Sequence, residues 1–99
     1  MLIAVLDLHT HPSDRALALA QLDGERDEIR AMSGNLDFRV YAARDNQEAV
    51  TVLHEWADES SFAAYLSSEA FARSGAVIRP MLNRPPVSRR FRAALLETV

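Results

Sequence analysis

Residues 50–66 read VTVLHEWADESSFAAYL, and the spacing of their apolar side chains changes halfway along. Up to Ala57 the side chains alternate between two faces, which is typical of a β-strand. Asp58 is a good N-cap, and the apolar residues beyond it recur at helical spacing. We therefore predict that a strand ends at Ala57 and that a helix begins at Asp58. One face of the strand holds Val50, Val52, His54 and Trp56, and the inner face of the helix holds Phe62, Tyr65, Leu66 and Phe71.

Two more strands and a helix are predicted before this stretch. Leu2–His9 reads LIAVLDLH and is apolar on both faces, which indicates a buried central strand. A helix is predicted over about residues 13–32, and Gly34 supplies its end. The alternating side chains of residues 36–41 then predict a second strand, which a polar turn at residues 44–48 joins to the third strand as a hairpin.

The remainder of the chain predicts a last helical patch and a last strand. Gly75 is expected to interrupt the second helix, and residues 77–82 form a short apolar helical patch after it. Pro85 and Pro86 impose an extended backbone, so residues 87–96 are predicted as the fourth strand. The order is then β-α-β-β-α-β, the ferredoxin-like α+β pattern of a four-stranded antiparallel sheet with both helices on one side.

One face of such a sheet has no helices over it. We expect leucines to line this open face, so that a monomer would expose a large apolar patch. A chain of 99 residues, which we expect to form a single domain over residues 1–99, also has little apolar area to spare. We therefore predict a homodimer that forms through the open sheet face. The leucines expected there are Leu2, Leu6, Leu8 and Leu53.

The composition excludes several classes of function. The chain has no cysteine, which removes thiolate metal sites and cysteine nucleophiles and is consistent with the cytoplasm. All 11 basic residues are arginine, so Schiff-base chemistry on a lysine is excluded. The net charge is −3, so no basic field attracts nucleic acid. The short apolar stretch after Met1 includes Asp7, so we expect no signal peptide, no membrane span and a cytoplasmic protein.

Asp7 is the most unusual residue of the first strand. A carboxylate among apolar side chains loses hydration unless it is paired or protonated, so its position indicates a site. If the first and third strands are parallel neighbours, Asp7 lies beside His54 and His9 lies beside Trp56 on the same face. Two interpretations of the Asp7–His54 pair stay open, an acid–base dyad at a pocket and a structural pair whose charges are satisfied.

His9 and His11 raise the question of a metal. In a continuous strand both imidazoles would share a face with Asp7, but Pro12 indicates a turn there, so we predict no metal site. The aromatic side chains also have two interpretations, a pocket wall and an ordinary core. With the first interpretation, the predicted substrate-binding residues are Val5, His9, Phe38, Phe62, Tyr65, Phe71 and Ile78.

A resemblance to a known family rests on residues 53–71, LHEWADESSFAAYLSSEAF, and on GNLDF at residues 34–38. These segments resemble the antibiotic biosynthesis monooxygenase family in a strand that ends in tryptophan, an acidic helix start and a phenylalanine near the helix end. A proline-containing apolar patch follows at residues 78–82. The resemblance implies a dimeric α/β barrel of the ferredoxin-like type. It also implies an enzyme that oxidises aromatic polyketides, quinols or haem without a flavin or a dedicated metal.

The chain departs from the family at several positions. Family members often carry a histidine where this chain has Tyr65, and further histidines near Ala70 and Gly75. The haem-degrading branch has asparagine in place of Asp7, so haem degradation is disfavoured. Trp56 matches a pocket tryptophan of the polyketide-oxidising branch, although the asparagine expected four residues earlier is a valine here.

Two functions follow from these residues and from the resemblance. The first is a cofactor-independent monooxygenase that acts on a small aromatic, quinol or polyketide-like substrate. In this hypothesis Asp7, with or without His54, is the base and Trp56 is the pocket wall, so these three residues are the predicted catalytic set. The second is a non-catalytic dimeric domain of the same fold that binds a small aromatic ligand.

Overall fold

The computed structural model describes all 99 residues. Its regular elements follow the predicted order, except that the second helix is divided into two. A 3₁₀ turn at Pro12–Asp14 precedes the first helix, and another at Arg79–Met81 follows the last. The strands and helices are β1 (Leu2–His9), α1 (Arg15–Arg30), β2 (Asn35–Ala42), β3 (Ala49–Trp56), α2 (Glu59–Leu66), α3 (Glu69–Ile78) and β4 (Val87–Arg92).

The four strands form one antiparallel sheet in the order β2-β3-β1-β4. Helix α1 carries the chain from β1 to β2, so these two strands run in the same direction, and β3 returns between them. The helices cover one face of the sheet, where α1 packs against β2 and α3. The predicted ferredoxin-like α+β fold is confirmed. The exposed edge strand β4 is shorter than predicted and ends at Arg92.

Local signals set two element ends where the sequence predicted them. Asp58 caps α2, and its Oδ1 accepts a hydrogen bond from the backbone N–H of Ser61 at 2.8 Å. Gly34 has a φ of +81°, the left-handed backbone that often ends a helix, and a Cβ there would collide with the side chain of Ser61. Glycine is therefore required where the chain turns from α1 into β2.

The second helix differs from the prediction. The chain breaks it at Ser68, whose hydroxyl accepts a hydrogen bond from the backbone N–H of Phe71 and starts α3. A serine can start a helix in this way because its hydroxyl satisfies a backbone N–H that has no partner within the helix. Gly75 lies inside α3, which continues to Ile78, so the expected interruption at Gly75 is wrong.

The expected parallel pairing of β1 with β3 is also wrong. The two strands are antiparallel, with Ala4 opposite His54 and Asp7 opposite Thr51. The reason lies in the connections, because α1 gives β2 the direction of β1 and the hairpin then reverses it in β3. Alternation places His54 on the face that the helices cover and Asp7 on the open face. The predicted Asp7–His54 pair therefore does not form.

The same register also contradicts the predicted placement of two other side chains of β1. His9 lies opposite Ala49, whereas the residue opposite Trp56 is Leu2. The prediction that His9 lies beside Trp56 is therefore wrong. Because side chains alternate along a strand, His9 and Val5 both belong to the open face and do not reach the layer between the sheet and the helices.

The hydrophobic core fills that layer. Leu2 and Leu8 are buried in it, and the half-buried Leu6 packs against it, so these three leucines do not line the open face as expected. Side-chain alternation along β1 places them in the core, because Leu2, Leu6 and Leu8 share a face with the fully buried Ala4. The largest fully buried side chains of the core include Trp56, Phe38, Ile29, Val50 and Val52.

The open face of the sheet carries both apolar and charged side chains. Of the four leucines expected on it, only Leu53 lies there, opposite Val5 of β1. Four of its charged groups form pairs within the face, where Arg89 lies 3.6 Å from the carboxylate of Asp7 and Arg39 forms an ion pair with Asp37, while Glu55 has no ion-pair partner. The apolar side chains of this face include Ile3, Val5, Leu53, Val87 and Phe91.

Candidate functional site

A cavity of about 120 Å³ lies between the sheet and the helices. Strands β1, β2 and β3 supply its floor, the three helices supply its walls, and residues 79–86 form its rim. Its volume suits a single aromatic ring, because an apolar cavity of about 150 Å³ binds benzene. The lining residues, most of them apolar, are Leu6, Leu8, Leu22, Phe38, Val52, His54, Tyr65, Phe71, Ser74, Gly75, Ile78, Arg79, Leu82 and Pro86.

Backbone hydrogen bonds tie the rim to the end of β1. Thr10 forms a bridge with Leu82, and the backbone N–H of Asn83 donates to the carbonyl of His9 at 2.9 Å. The Asn83 side-chain amide donates in turn to the carbonyl of Thr10 at 3.1 Å. These bonds hold the segment that carries Leu82 and Pro86 beside the floor of the cavity.

His54 lies on the floor of the cavity and is 4% exposed. The rings of Phe38, Trp56, Phe62 and Tyr65 surround it with centroids 5.6 to 6.1 Å away. Burial lowers the pKa of His54 to about 4, and the positive charge of Arg90 on β4 acts in the same direction. The imidazole is therefore neutral at physiological pH.

Trp56 binds His54 from behind the cavity wall. Its indole Nε1–H donates a hydrogen bond to His54 Nδ1 at 2.8 Å, and the bond is fully buried. The two residues are two apart on β3 and share a face, which is why their rings meet. Trp56 is 0% exposed and does not line the cavity itself. The Nδ1 lone pair of His54 is thus already occupied.

Tyr65 is a polar side chain of the cavity wall. Its ring stacks on that of Trp56 with a centroid distance of 5.1 Å and meets the ring of Phe71 edge-on at 5.3 Å. Burial raises the pKa of Tyr65 to about 12, and the negative charge of Glu25 adds to this effect. The hydroxyl group therefore remains protonated and can donate a hydrogen bond, but it cannot act as a base near neutral pH.

Two further polar residues border the cavity. Ser74 is buried in its wall, and Arg79 is exposed at its rim beside Gly75. No carboxylate lies within ion-pairing distance of Arg79. The rim therefore carries an uncompensated positive charge, which favours a ligand with a negative or electron-rich group at that end.

The structure brings together about half of the predicted site residues. Of the predicted catalytic set, only His54 lines the cavity. Trp56 lies directly behind this residue, and Phe62 packs against both of their rings. The predicted substrate-binding residues that line the cavity are Phe38, Tyr65, Phe71 and Ile78.

Asp7, Val5 and His9 lie on the other side of the sheet. Asp7 accepts a hydrogen bond from the Thr51 hydroxyl at 2.8 Å and pairs with Arg89, so its carboxylate is satisfied. Its side chain is 34% exposed, so it loses less hydration than its sequence position implied. The structural interpretation of Asp7 is therefore supported, with Thr51 and Arg89 as its partners instead of His54.

Sequence reasoning missed several lining residues. Leu22 lies on the apolar face of α1, and the helical spacing of its apolar neighbours was the available signal. Ser74 lies inside α3 and Arg79 directly follows the helix, and the expected break at Gly75 concealed their position on one continuous helix and turn. Leu82 and Pro86 reach the cavity only through the tertiary pairing of the rim with β1.

Glu25 was missed as well, and it is a buried carboxylate. It lies on α1 and accepts hydrogen bonds on Oε1 from Arg73 of α3 and from Gln21, both at 3.0 Å. Its Oε2 is enclosed and has no hydrogen-bond partner. Helical spacing was the available signal, because Glu25 lies three residues after Leu22 and four before Ile29 on the buried face of α1. Glu25 does not line the cavity.

The chain also lacks a metal-binding cluster and a membrane-spanning helix. No three histidine, aspartate or glutamate side chains come together in a way that could hold a metal ion. None of the helices combines the length and the apolar character that crossing a membrane requires.

Comparison of the sequence with protein families confirms the resemblance drawn from residues 34–38 and 53–71. The sequence profile of the antibiotic biosynthesis monooxygenase family matches residues 1–76. No curated protein matches the chain in sequence.

Solved structures resemble the whole chain. A Nitrosomonas europaea protein, provisionally named as an antibiotic biosynthesis monooxygenase, is 8% identical and superposes with a TM-score of 0.90 over 96% of this chain and 100% of its own. A Mycobacterium tuberculosis protein is 18% identical, with a TM-score of 0.87 and coverage of 99% and 98%. A conserved protein from Methanosarcina mazei is 22% identical, with a TM-score of 0.88 and coverage of 94% and 92%. At these identities the likeness concerns the fold alone.

Proposed function

The chain belongs to the antibiotic biosynthesis monooxygenase family, and we propose that it is a monooxygenase that oxidises a small aromatic substrate in the cavity between the sheet and the helices. One observation carries the proposal. The cavity is apolar and suits an aromatic ring, and its floor carries a neutral histidine where the substrate would bind. Most ligand pockets combine an apolar wall with a few polar groups in this way.

The proposed chemistry needs only a substrate that is itself a reductant. An anthrone or a quinol loses a proton, and its anion passes one electron to O₂, which gives a carbon-centred radical and superoxide. These two combine into a peroxide, at the CH₂ carbon of the anthrone or at a ring C–H carbon of the quinol, and the peroxide takes up a proton and loses water to leave a carbonyl group. One oxygen atom enters the product and the other leaves as water, and the substrate supplies all the electrons. The proposal therefore includes no cofactor and no metal.

The cavity would favour this chemistry in two ways. Its apolar wall excludes water from the radical pair, and its shape holds one ring of the substrate against the floor. The rest of a larger substrate would extend past Arg79 at the rim. Asp7 has no part in this proposal, because its carboxylate lies on the opposite face of the sheet.

Oxygen consumption with a panel of anthrones and quinols tests the proposal. Gly75 lies inside α3 and lines the cavity, and a Cβ there would make only ordinary contacts with Arg79. We therefore expect Gly75→Ala to keep the activity of the wild type and Gly75→Leu to reduce it at least ten-fold by filling the cavity. Failure of the wild type to consume oxygen with any member of the panel, or full activity of Gly75→Leu, would contradict the proposal.

A second function remains in view because one observation favours it. No group that could serve as a base faces the cavity, since His54 Nδ1 is occupied by Trp56 and Tyr65 stays protonated. A domain that binds a small aromatic ligand without oxidising it needs no base. Native mass spectrometry that detects a retained aromatic ligand, together with the absence of oxygen consumption, would support this alternative.

We also propose that the protein forms a homodimer through the open sheet face. The apolar side chains Ile3, Val5 and Leu53 would then be covered by the same side chains of a second copy. The charges of Asp7 and Arg89 pair within the face, and so do those of Asp37 and Arg39, so two such faces can meet with these four charges already compensated. A cytoplasmic location without nucleic-acid or membrane partners completes the proposal, and it is supported by the lack of cysteine and the net charge of −3.

A further inference from the structure

We propose that His54 is a fixed hydrogen-bond donor, held by Trp56 so that its Nε2–H contacts an oxygen atom of the ligand and selects ligands bound as a phenolate or enolate. This inference rests on the proposed function because it concerns the same cavity. It concerns recognition of the ligand and not its oxidation, so the two can fail separately.

The contact with Trp56 sets the tautomer of His54. An indole nitrogen can only donate a hydrogen bond, so the 2.8 Å contact from Trp56 Nε1 requires His54 Nδ1 to accept. A neutral imidazole carries one proton, which must then reside on Nε2. Trp56 therefore determines which nitrogen of His54 bears the proton.

The proton on Nε2 points away from Trp56. Nε2 lies across the ring from Nδ1, on the side away from Trp56. His54 and Val52 line the cavity whereas Trp56 does not, so the side of the ring away from Trp56 faces the cavity. Nε2 makes no hydrogen bond within the protein, and the surrounding atoms do not enclose it completely. Its N–H is therefore available to a ligand.

Charged and titratable groups surround His54 on several elements. Arg90 from β4 places its guanidinium 5.0 Å from the ring centroid of Phe62, on the same side of the sheet as His54. Tyr65 faces His54 from α2, and Glu25 of α1 acts on Tyr65 from behind. Burial and the positive charge of Arg90 both lower the pKa of His54. The ring is therefore neutral when it donates its hydrogen bond.

The chemical class of the ligand follows from these steps. A hydrogen bond to a charged oxygen is about twice as strong as one to a neutral oxygen, so the donor favours the anionic form of a phenol or enol. The unpaired Arg79 at the rim adds a positive potential, which also favours the anionic form of the ligand. A cavity without a base can thus still yield a reactive anion, because it binds the ligand that has already lost its proton.

Spectroscopy of the wild-type protein tests the tautomer directly. In the nitrogen-15 spectrum of labelled protein at neutral pH we expect the pattern of a single Nε2–H tautomer for His54. In Trp56→Phe, which keeps an aromatic ring but loses the donor, we expect a mixture of both tautomers. A wild-type spectrum with the proton on Nδ1, or an unchanged spectrum in Trp56→Phe, would overturn the proposal.

Binding of 4-nitrophenol tests the preference for the anion, because its phenolate absorbs at a longer wavelength than the phenol. We expect the wild type to lower the apparent pKa of bound 4-nitrophenol by about one unit, which is a ten-fold preference for the phenolate. His54→Gln places an amide donor at a similar reach and should keep most of this shift. His54→Phe should lose most of the shift and keep only the part that Arg79 contributes, and Trp56→Phe should lose part of it.

4-Nitrotoluene serves as the matched control ligand, since it has the same ring but no acidic oxygen. His54→Phe should bind it about as well as the wild type does, which separates the loss of a donor from damage to the cavity. An equal phenolate preference in the wild type and in His54→Phe would overturn the inference. A shift that depends on His54 in a protein that consumes no oxygen would instead overturn the proposed oxidation and leave the inference standing.

Discussion

The charge of His54 is governed by its enclosure among aromatic rings. Burial and the positive charge of Arg90 lower its pKa from 6.5 to about 4. In an unfolded chain the same imidazole would regain its ordinary pKa. Between these two pKa values the folded protein binds fewer protons at this position than the unfolded chain, so protonation of His54 favours unfolding.

This difference predicts a pH dependence of stability. Because the pKa is lowered in the folded state, the stability linked to neutral His54 is fully present above pH 6.5 and is lost as the pH falls toward 4. The full loss is about 3 kcal/mol, from roughly 1.4 kcal/mol for each unit of pKa difference. Urea unfolding at a series of pH values should show this loss in the wild type. The matched variant His54→Gln should lack it, and equal pH dependence in both proteins would contradict the prediction.

His54 also shows what the pattern of residues along a strand can predict and what it cannot. Alternation along β3 was sufficient to place His54 and Trp56 on one face, because that relation is local. The partner of His54 was not predictable in the same way. Alternation along β1 shows which residues share a face with Asp7, but not which face of the sheet that is. The antiparallel register, in which Ala4 lies opposite His54, reveals that Asp7 lies on the other face from His54. The tautomer of His54 depends on this tertiary placement and on the contact with Trp56.

The junction between α2 and α3 positions two walls of the cavity at once. The Ser68 hydroxyl donates to the carbonyl of Tyr65 at 2.6 Å and accepts from the backbone N–H of Phe71 at 3.2 Å. Tyr65 and Phe71 both line the cavity, and their rings meet at 5.3 Å. A single side chain therefore caps α3 and fixes the relative position of two aromatic residues.

Removal of this cap should weaken both stability and binding. We expect Ser68→Ala to lower the free energy of unfolding by about 1 kcal/mol, the usual effect of losing an N-cap hydroxyl. Affinity for 4-nitrotoluene should fall as well, because Tyr65 and Phe71 lose their common support. Ser67→Ala is the matched control, since Ser67 is exposed and its side chain makes no hydrogen bond. Equal unfolding free energies for the two variants would show that the cap contributes nothing.

The prediction of elements succeeded where local chemistry decides them. Asp58, Gly34 and the alternating strands each act within a few residues, so the order of elements and the fold class follow from them. The break at Ser68 was missed because Gly75 offered a stronger signal, although a glycine inside a helix costs only about 1 kcal/mol. The cavity itself arises from the packing of three helices and the rim on the sheet, which no local pattern contains.

At the scale of the whole molecule, the sheet separates two surfaces of different use. The cavity opens on the face that the helices cover, and the open face carries Leu53 beside Val5 and Arg39. If a second copy covers the open face, assembly and ligand binding are independent in space. A change at Leu53 should then affect the dimer and leave the cavity intact.

Leu53→Arg tests this separation. Light scattering of the wild type at micromolar concentration should give twice the chain mass of 11.0 kDa. The new guanidinium would lie opposite Val5 and Arg39 and two residues from Glu55, so a second copy could approach only by removing these charged groups from water where the wild type presents a leucine. We expect a folded monomer that still binds 4-nitrophenol with the wild-type shift of its pKa. Leu17→Arg is the control, because Leu17 is an exposed leucine of α1 and the same charge there should leave the dimer intact. A wild-type monomer at high concentration, or a Leu53→Arg protein that remains dimeric, would show that the open sheet face is not the interface.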